Sequence, residues 1–288
     1  MRLVNAVQAA VPFLSTCIVI VAASGNAMAQ APSAPAKPTD AAAPAVTESQ
    51  ARAREILARM AQFLAKSQRF SVQMHAGYDA VQPSGQKIEF TETRNVTVSR
   101  PNRLRVEGSD SDGVKVITVF TGKEMVLIDH GAGVYVTAPQ PGGLDDTVKY
   151  FVGELGMRLP LAVLLLSSLP QELQARVESI DYVERTSLHG APAHHLAART
   201  DSVDFQVWVS DGDKPLPQRV VITYRNADGQ PQFRAQLTGW NLSPVVDDAT
   251  FSAAPPQKAQ KIAFAAQVAR NAPPAVSKPG ASKGVTKP

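Results

Sequence analysis

The sequence predicts an α+β fold: a strongly curved antiparallel sheet whose concave face is covered by helices. Three observations point there. Two runs of short segments alternate apolar and polar residues with period two and are separated by tight-turn residues, as antiparallel strands with one wet face require. One amphipathic segment precedes the first run, and a helical, almost uncharged island at 145–169 separates it from the second. Strands and helices gathered into separate runs, rather than in strict alternation, argue α+β.

The chain opens with a leader. One charge at Arg2, an apolar stretch over 11–23 and the triplet Ala27-Met28-Ala29 fit a secretory signal cleaved after Ala29, which makes Gln30 the first mature residue and export the expectation. The apolar stretch falls short of the roughly 20 residues that span a bilayer. The single cysteine, Cys17, lies inside the leader, preceded by Thr16 rather than by the small residue of a lipoprotein signal. The mature chain is therefore expected to lack disulfides, and its domain must be held by its core alone.

Residues 30–45 are rich in Ala and Pro and read as an extended linker; residues 265–288, rich in Ala, Pro and Lys, read as a disordered tail. A single domain is expected over 46–264. The pI of about 9.2 misrepresents that domain. The net charge of +4 becomes +3 without Arg2; Lys258 and Lys261 at the end of the domain and Arg270, Lys278, Lys283 and Lys287 in the tail are six positives with no acid after Asp248, and they leave the rest of the chain at −3. Basicity thus belongs to the C-terminal end, which reads first as a solubilising disordered tail, while its charge alone also suits peripheral contact with anionic lipid, cell wall or nucleic acid.

Within the domain, Thr47 and Gln50 match a capping box, and Ile56, Leu57, Met60 and Leu64 form one face of the helix that follows. After Arg69 the period changes. Phe70, Val72 and Met74 alternate with Ser71, Gln73 and His75, Pro83-Ser84-Gly85 marks a turn, and Ile88 and Phe90 lead into a polar strand that Pro101 ends. Strands are expected at 103–107, 114–120, 125–128 and 134–137, separated by Gly- and Asp-rich turns. In the island, Val148, Phe151, Val152 and Leu155 make one helical stripe, with Asp145 as the expected cap and Gly156 as the stop. Pro160 is placed to open a second helix, in which 161–166 has no polar side and must be covered all round. Strands resume at 177–186, 193–199, 203–210, 219–224 and 232–237.

Chemistry-bearing patterns are sparse. There is no G-x-S-x-G, H-E-x-x-H, Walker loop or cysteine pair. Ser84 and Lys87 match S-x-x-K in letters, but Ser84 sits in a Pro/Gly turn, not at the start of a helix. His189, His194 and His195 cluster, yet neighbours on a strand point to opposite faces, so no metal site is expected there and no cofactor anywhere. Asp145-Asp146 and Asp247-Asp248 read as a helix cap and a turn. Trp208 faces away from Phe205, Val207 and Val209 by alternation; it and Trp240 either brace the sheet or line a pocket.

The stretch GAPAHHLAART, the segment from VDFQVWVSDGDKPLPQRVVITYRNADGQPQFRAQLTGWNLSP and the closing ATFSAAPPQKAQKIAF resemble an uncharacterised family of predicted periplasmic proteins. That resemblance covers about 46–264 and implies the half-open barrel of the bacterial lipoprotein carriers LolA and LolB, in which helices cover an apolar cavity. It implies a fold and a cavity, not lipoprotein transport.

Two readings of function follow. In the first the protein is a non-enzymatic periplasmic binder or carrier of a hydrophobic ligand, a lipid or a lipid-modified polypeptide. Its cavity or lid would be formed by Phe151, Leu155, Met157, Leu161, Leu164, Leu165, Phe205 and Val207. In the second it is a structural or sensory envelope module that binds a protein partner through a sheet edge, its interior filled by side chains. Nothing outside the tail suggests nucleic acid. A hydrolase assembled from scattered Ser, His and Asp residues is the third class.

Overall fold

The computed structural model describes residues 47–154 and 159–263. The expected leader, linker and tail, and with them Leu155, Gly156 and Met157, lie outside the described residues.

Helix α1 (Glu48–Lys66) opens the domain on the anticipated capping box: the Thr47 hydroxyl accepts from the Gln50 amide and the Gln50 side chain accepts from the Thr47 amide, both at 3.2 Å. Its apolar stripe is fully used, since Ala53, Ile56, Leu57, Met60, Ala61 and Leu64 are all buried. Six strands follow: β1 (Arg69–Val81), β2 (Lys87–Ser99), β3 (Arg103–Asp110), β4 (Lys115–Phe120), β5 (Glu124–Asp129) and β6 (Val134–Pro139). Next comes the helical island, with α2 (Leu144–Lys149), a π-helical turn (Tyr150–Glu154), a 3-10 turn (Ala162–Leu165) and α3 (Leu169–Arg176). The second run of strands is β7 (Ser179–Leu188), β8 (Ala191–Arg199), β9 (Val203–Ser210), β10 (Pro217–Tyr224) and β11 (Gln232–Asn241), and a two-residue β12 (Gln260–Lys261) ends the described chain.

All twelve strands belong to one sheet in the order β12-β6-β5-β4-β3-β2-β1-β11-β10-β9-β8-β7. Every pairing is antiparallel except β12 with β6. The two runs therefore meet at the centre, where β1 pairs with both β2 and β11. β6 and β11 stand six strands apart, about 29 Å in a flat sheet, yet Val136 and Leu237 line one cavity. Only strong curvature brings them together.

The concave face carries the core, of which two parts are the largest. Under α1, Val207 and Val209 of β9, Leu196 of β8, Val220 of β10 and Leu237 of β11 pack against Ile56, Leu57 and Met60. Under the island, Phe70, Val98, Leu104 and Phe120 pack against Leu144, Val148 and Leu166. No helix among the described residues is long and apolar enough to cross a membrane.

Two local expectations are corrected. Asp145 does not cap α2: Gly143 is the N-cap residue, and the Asp146 carboxylate accepts from the Gly143 amide at 3.1 Å. Nor does Pro160 start an α-helix. Leu161 takes a left-handed conformation (φ 64°), and the chain makes a single 3-10 turn closed by Leu164 N–H to Leu161 C=O and Leu166 N–H to Val163 C=O. A run this short does not recover the cost of helix nucleation, and the Leu165 carbonyl and Ser167 amide bond to Arg100 and Asp145 instead.

Candidate functional site

Between the curved sheet and the island lies a cavity of about 230 Å³. Its floor is the concave face of β1 to β6, represented by Phe70, Val72, Val96, Val106, Met125 and Val136, with Leu237 and Trp240 from β11. Its roof is Leu144, Val148 and Phe151 from α2 and the π-helical turn, and Leu161, Leu164 and Leu165 from the 3-10 turn. Strand alternation explains the apolar floor: every second residue faces inward, and almost all of those are aliphatic or aromatic.

Polar groups are few. Arg94 is the one charged side chain among the described lining residues, and it is paired with Glu92 at 2.7 Å. The Thr147 hydroxyl donates to the Gly143 carbonyl at 2.9 Å, which leaves Thr118 as the remaining hydroxyl of the wall. The described wall holds no nucleophile set against a base. The contacts such a lining offers are dispersion and the exclusion of water.

The roof is anchored at one polar point. Arg100, next after β2, has a side chain only 6 % exposed. Its Nη1 donates to the Leu165 carbonyl at 2.6 Å and its Nε to the Ser67 carbonyl at 3.1 Å. Asp145 lies 3.7 Å away and accepts from the Ser167 amide and hydroxyl, the latter at 2.6 Å. Burial pushes the Arg100 guanidinium below its ordinary pKa, and the Asp145 carboxylate works against that shift. Arg100 Nη2 has no hydrogen-bond partner. One buried cation thus holds the end of α1, the 3-10 turn and α2 together.

Phe151, Leu161, Leu164 and Leu165, singled out from the sequence, all stand on the cavity wall. Leu155 and Met157 fall outside the described residues. Phe205 and Val207 are corrected: they belong to the packed half of the sheet beneath α1 and do not line the cavity. β9 is four strands from β2 in the sheet order, and the amphipathic face of α1 has already filled the space above it.

Sequence reasoning missed Arg100 and left Trp240 undecided. Trp240 both braces and lines: its indole donates to the Pro217 carbonyl at 3.0 Å, its ring centroid is 5.7 Å from that of Phe70, and it faces the cavity. Simple alternation from Leu237 would turn Trp240 outward. A bulge opposite Val72, with Gly239 at φ 63°, turns it in. The usable signal was the glycine just before the tryptophan.

The histidines separate as alternation requires. His194 pairs across the ladder with Val209 and lies within 3.2 Å of the Tyr182 hydroxyl and of Asp211, whereas His195 stacks on Trp208 with ring centroids 4.0 Å apart. Among the described residues no group of three or more His, Cys, Asp or Glu is arranged to hold a metal ion.

A family model described as "Predicted periplasmic protein (DUF2092)" matches residues 53–265. The chain belongs to this family of predicted periplasmic proteins. The match spans the domain from α1 through β12, so the cavity and its roof are inside it. No curated protein matches the sequence. Among solved structures, this DUF2092 chain is similar to an uncharacterized conserved protein from Thermus thermophilus, at 14 % identity and a TM-score of 0.44, over 74 % of this chain and 99 % of that one. It is similar to LprF from Mycobacterium bovis at 14 % identity and a TM-score of 0.45, over 68 % and 95 %. It is also similar to a LolA superfamily protein from Nitrosomonas europaea at 10 % identity and a TM-score of 0.34, over 70 % and 97 %.

Proposed function

We propose that this DUF2092 protein is an exported, non-enzymatic binder or carrier of a hydrophobic ligand, a lipid or a lipid-modified polypeptide, held in the cavity beneath α2 and the 3-10 turn. The observation that carries this reading is the cavity itself: about 230 Å³ of space walled by aliphatic and aromatic side chains. Apolar cavities of about 150 Å³ already stay dry and bind benzene. The roof supports the reading too, because it meets the sheet mostly through apolar contacts, which a guest of the same character replaces at little cost. The basic tail would add peripheral contact with anionic lipid.

The alternative, an envelope module that docks a protein partner with its interior filled, finds less support, since no side chain of the described residues fills the space under the roof. The test is direct. The mature protein is purified, extracted and analysed by mass spectrometry for bound lipid, then titrated with a fluorescent fatty acid. Protein that is consistently empty and also ignores the probe sinks the proposal.

A further inference from the structure

The concave face of the central hairpin continues past the cavity. Alternation carries β1 from the cavity-lining Met74 through Ala76 to Tyr78, and β2 from Arg94 through Glu92 to Phe90 and Ile88. Tyr78 pairs with Phe90 in the ladder, and their rings stack with centroids 5.9 Å apart and planes 23° from parallel. Tyr78 and Phe90 are each 44 % exposed and Ile88 is 40 % exposed. Single exposed apolar side chains are ordinary, but here three large ones sit together.

Leu161 connects this patch to the cavity. It lines the wall and packs against the cluster of Met74, Ala76 and Phe233, and Phe233 is the β11 partner of Tyr78. An apolar row therefore runs from the cavity wall at Leu161 through the buried Ala76 and Phe233 to the exposed Tyr78–Phe90 stack, flanked on β2 by the Arg94–Glu92 pair. Leu161 holds its left-handed backbone at that threshold, a conformation that non-glycine residues keep only where the surroundings impose it.

Size and charge select the occupant. A cavity of about 230 Å³ is smaller than the roughly 300–1,000 Å³ of sites that enclose a whole drug-sized ligand. It therefore houses only part of a long acyl chain. The cations around the patch are already engaged: Arg94 with Glu92, Arg234 with Asp79, and Lys87 with the Gln230 carbonyl. Lys87 keeps its charge, since a carbonyl does not neutralise it, but Glu92 and Asp110 act on Tyr78 from the same surroundings, so the patch is not a cationic surface for anionic lipid.

We infer that Tyr78, Phe90 and Ile88 form an overflow platform for the same guest: they receive the distal part of an acyl chain too long for the cavity, and so set chain-length preference. This rests on the carrier reading. The experiment compares octanoic and palmitic acids, by displacement of a fluorescent fatty acid, on the full mature chain and on the double variant Tyr78→Ser/Phe90→Ser. Thermal unfolding checks that these exposed positions leave the fold intact, and Ile88→Ser serves as an independent second variant. The expected result is palmitate binding weakened about tenfold with octanoate unchanged. Equal weakening of both acids, or no change in either, overturns the platform while leaving the carrier reading standing. A wild-type chain that binds neither acid overturns both.

Discussion

Arg100 donates to the Leu165 carbonyl at 2.6 Å, and through that contact the 3-10 turn over the cavity is tied to the end of β2. Replacing it, as in Arg100→Met, leaves the Leu165 and Ser67 carbonyls without their donor, a cost of about 1–3 kcal/mol. The expected outcome is a lower melting temperature together with several-fold faster release of a bound fatty-acid probe, because the roof loses its polar anchor. Lysine at this site keeps the charge but not the fork that reaches two carbonyls, so Arg100→Lys should fall between wild type and Met. Release that is unchanged in a destabilised Arg100→Met variant would assign Arg100 to stability alone.

Ala138 lines the cavity and is 8 % exposed. Ala138→Phe directs a phenyl ring into the space, so probe affinity should fall tenfold or more. Stability should change by less than the approximately 1–3 kcal/mol typical of overpacking a solid core. A large loss of stability with binding retained would mean that the space is not where the guest sits. Equilibrium titration and chemical denaturation of the same preparation separate the two outcomes.

The two tryptophans report on opposite faces: Trp240 looks into the cavity, and Trp208 stacks on His195 outside it. In a Trp208→Phe variant the remaining emission belongs to Trp240. Adding a fatty acid should shift that emission to the blue, and a brominated analogue should quench it. A Trp240→Phe variant, which keeps Trp208, should show neither effect.

Two aspartates should give opposite pH signatures. Arg234 and the Gln232 amide hold the Asp79 carboxyl below its ordinary range, so its contribution is present above about pH 4 and is lost as pH falls through the folded value. Asp79→Asn should cost about 1–3 kcal/mol at neutral pH and nothing once the carboxyl is protonated. Burial, then the charges of Glu92 and Asp112, push the Asp110 carboxyl up. Its protonated form favours the fold, and that benefit is lost as pH rises through the raised value. Asp110→Asn should therefore raise the melting temperature at neutral pH and leave it unchanged in acid. Melting curves across the acid range distinguish these directions.

The sheet was largely legible in the sequence because period-two alternation and Gly/Asp turns are local signals, and β3 to β6 and β8 to β10 fall within a few residues of their expected places. The roof was legible in composition but not in conformation. The 3-10 turn arises where Arg100, dozens of residues upstream, takes the Leu165 carbonyl and Asp145 takes the Ser167 amide; the island around Pro160 contains Asp145 but not Arg100, and neither pairing is signalled by its spacing. Phe205 and Val207 illustrate the opposite failure. An inward-facing apolar residue is read correctly as inward, but whether it meets a helix or a hollow depends on where α1 lies across the sheet.

The sheet begins at β12 and ends at β7 without joining itself. A closed barrel has its girth fixed by strand number and stagger; an unsealed one does not. On the carrier reading proposed above, guests of different thickness would be met by a slight unrolling of the wall, with each ladder of backbone bonds kept intact.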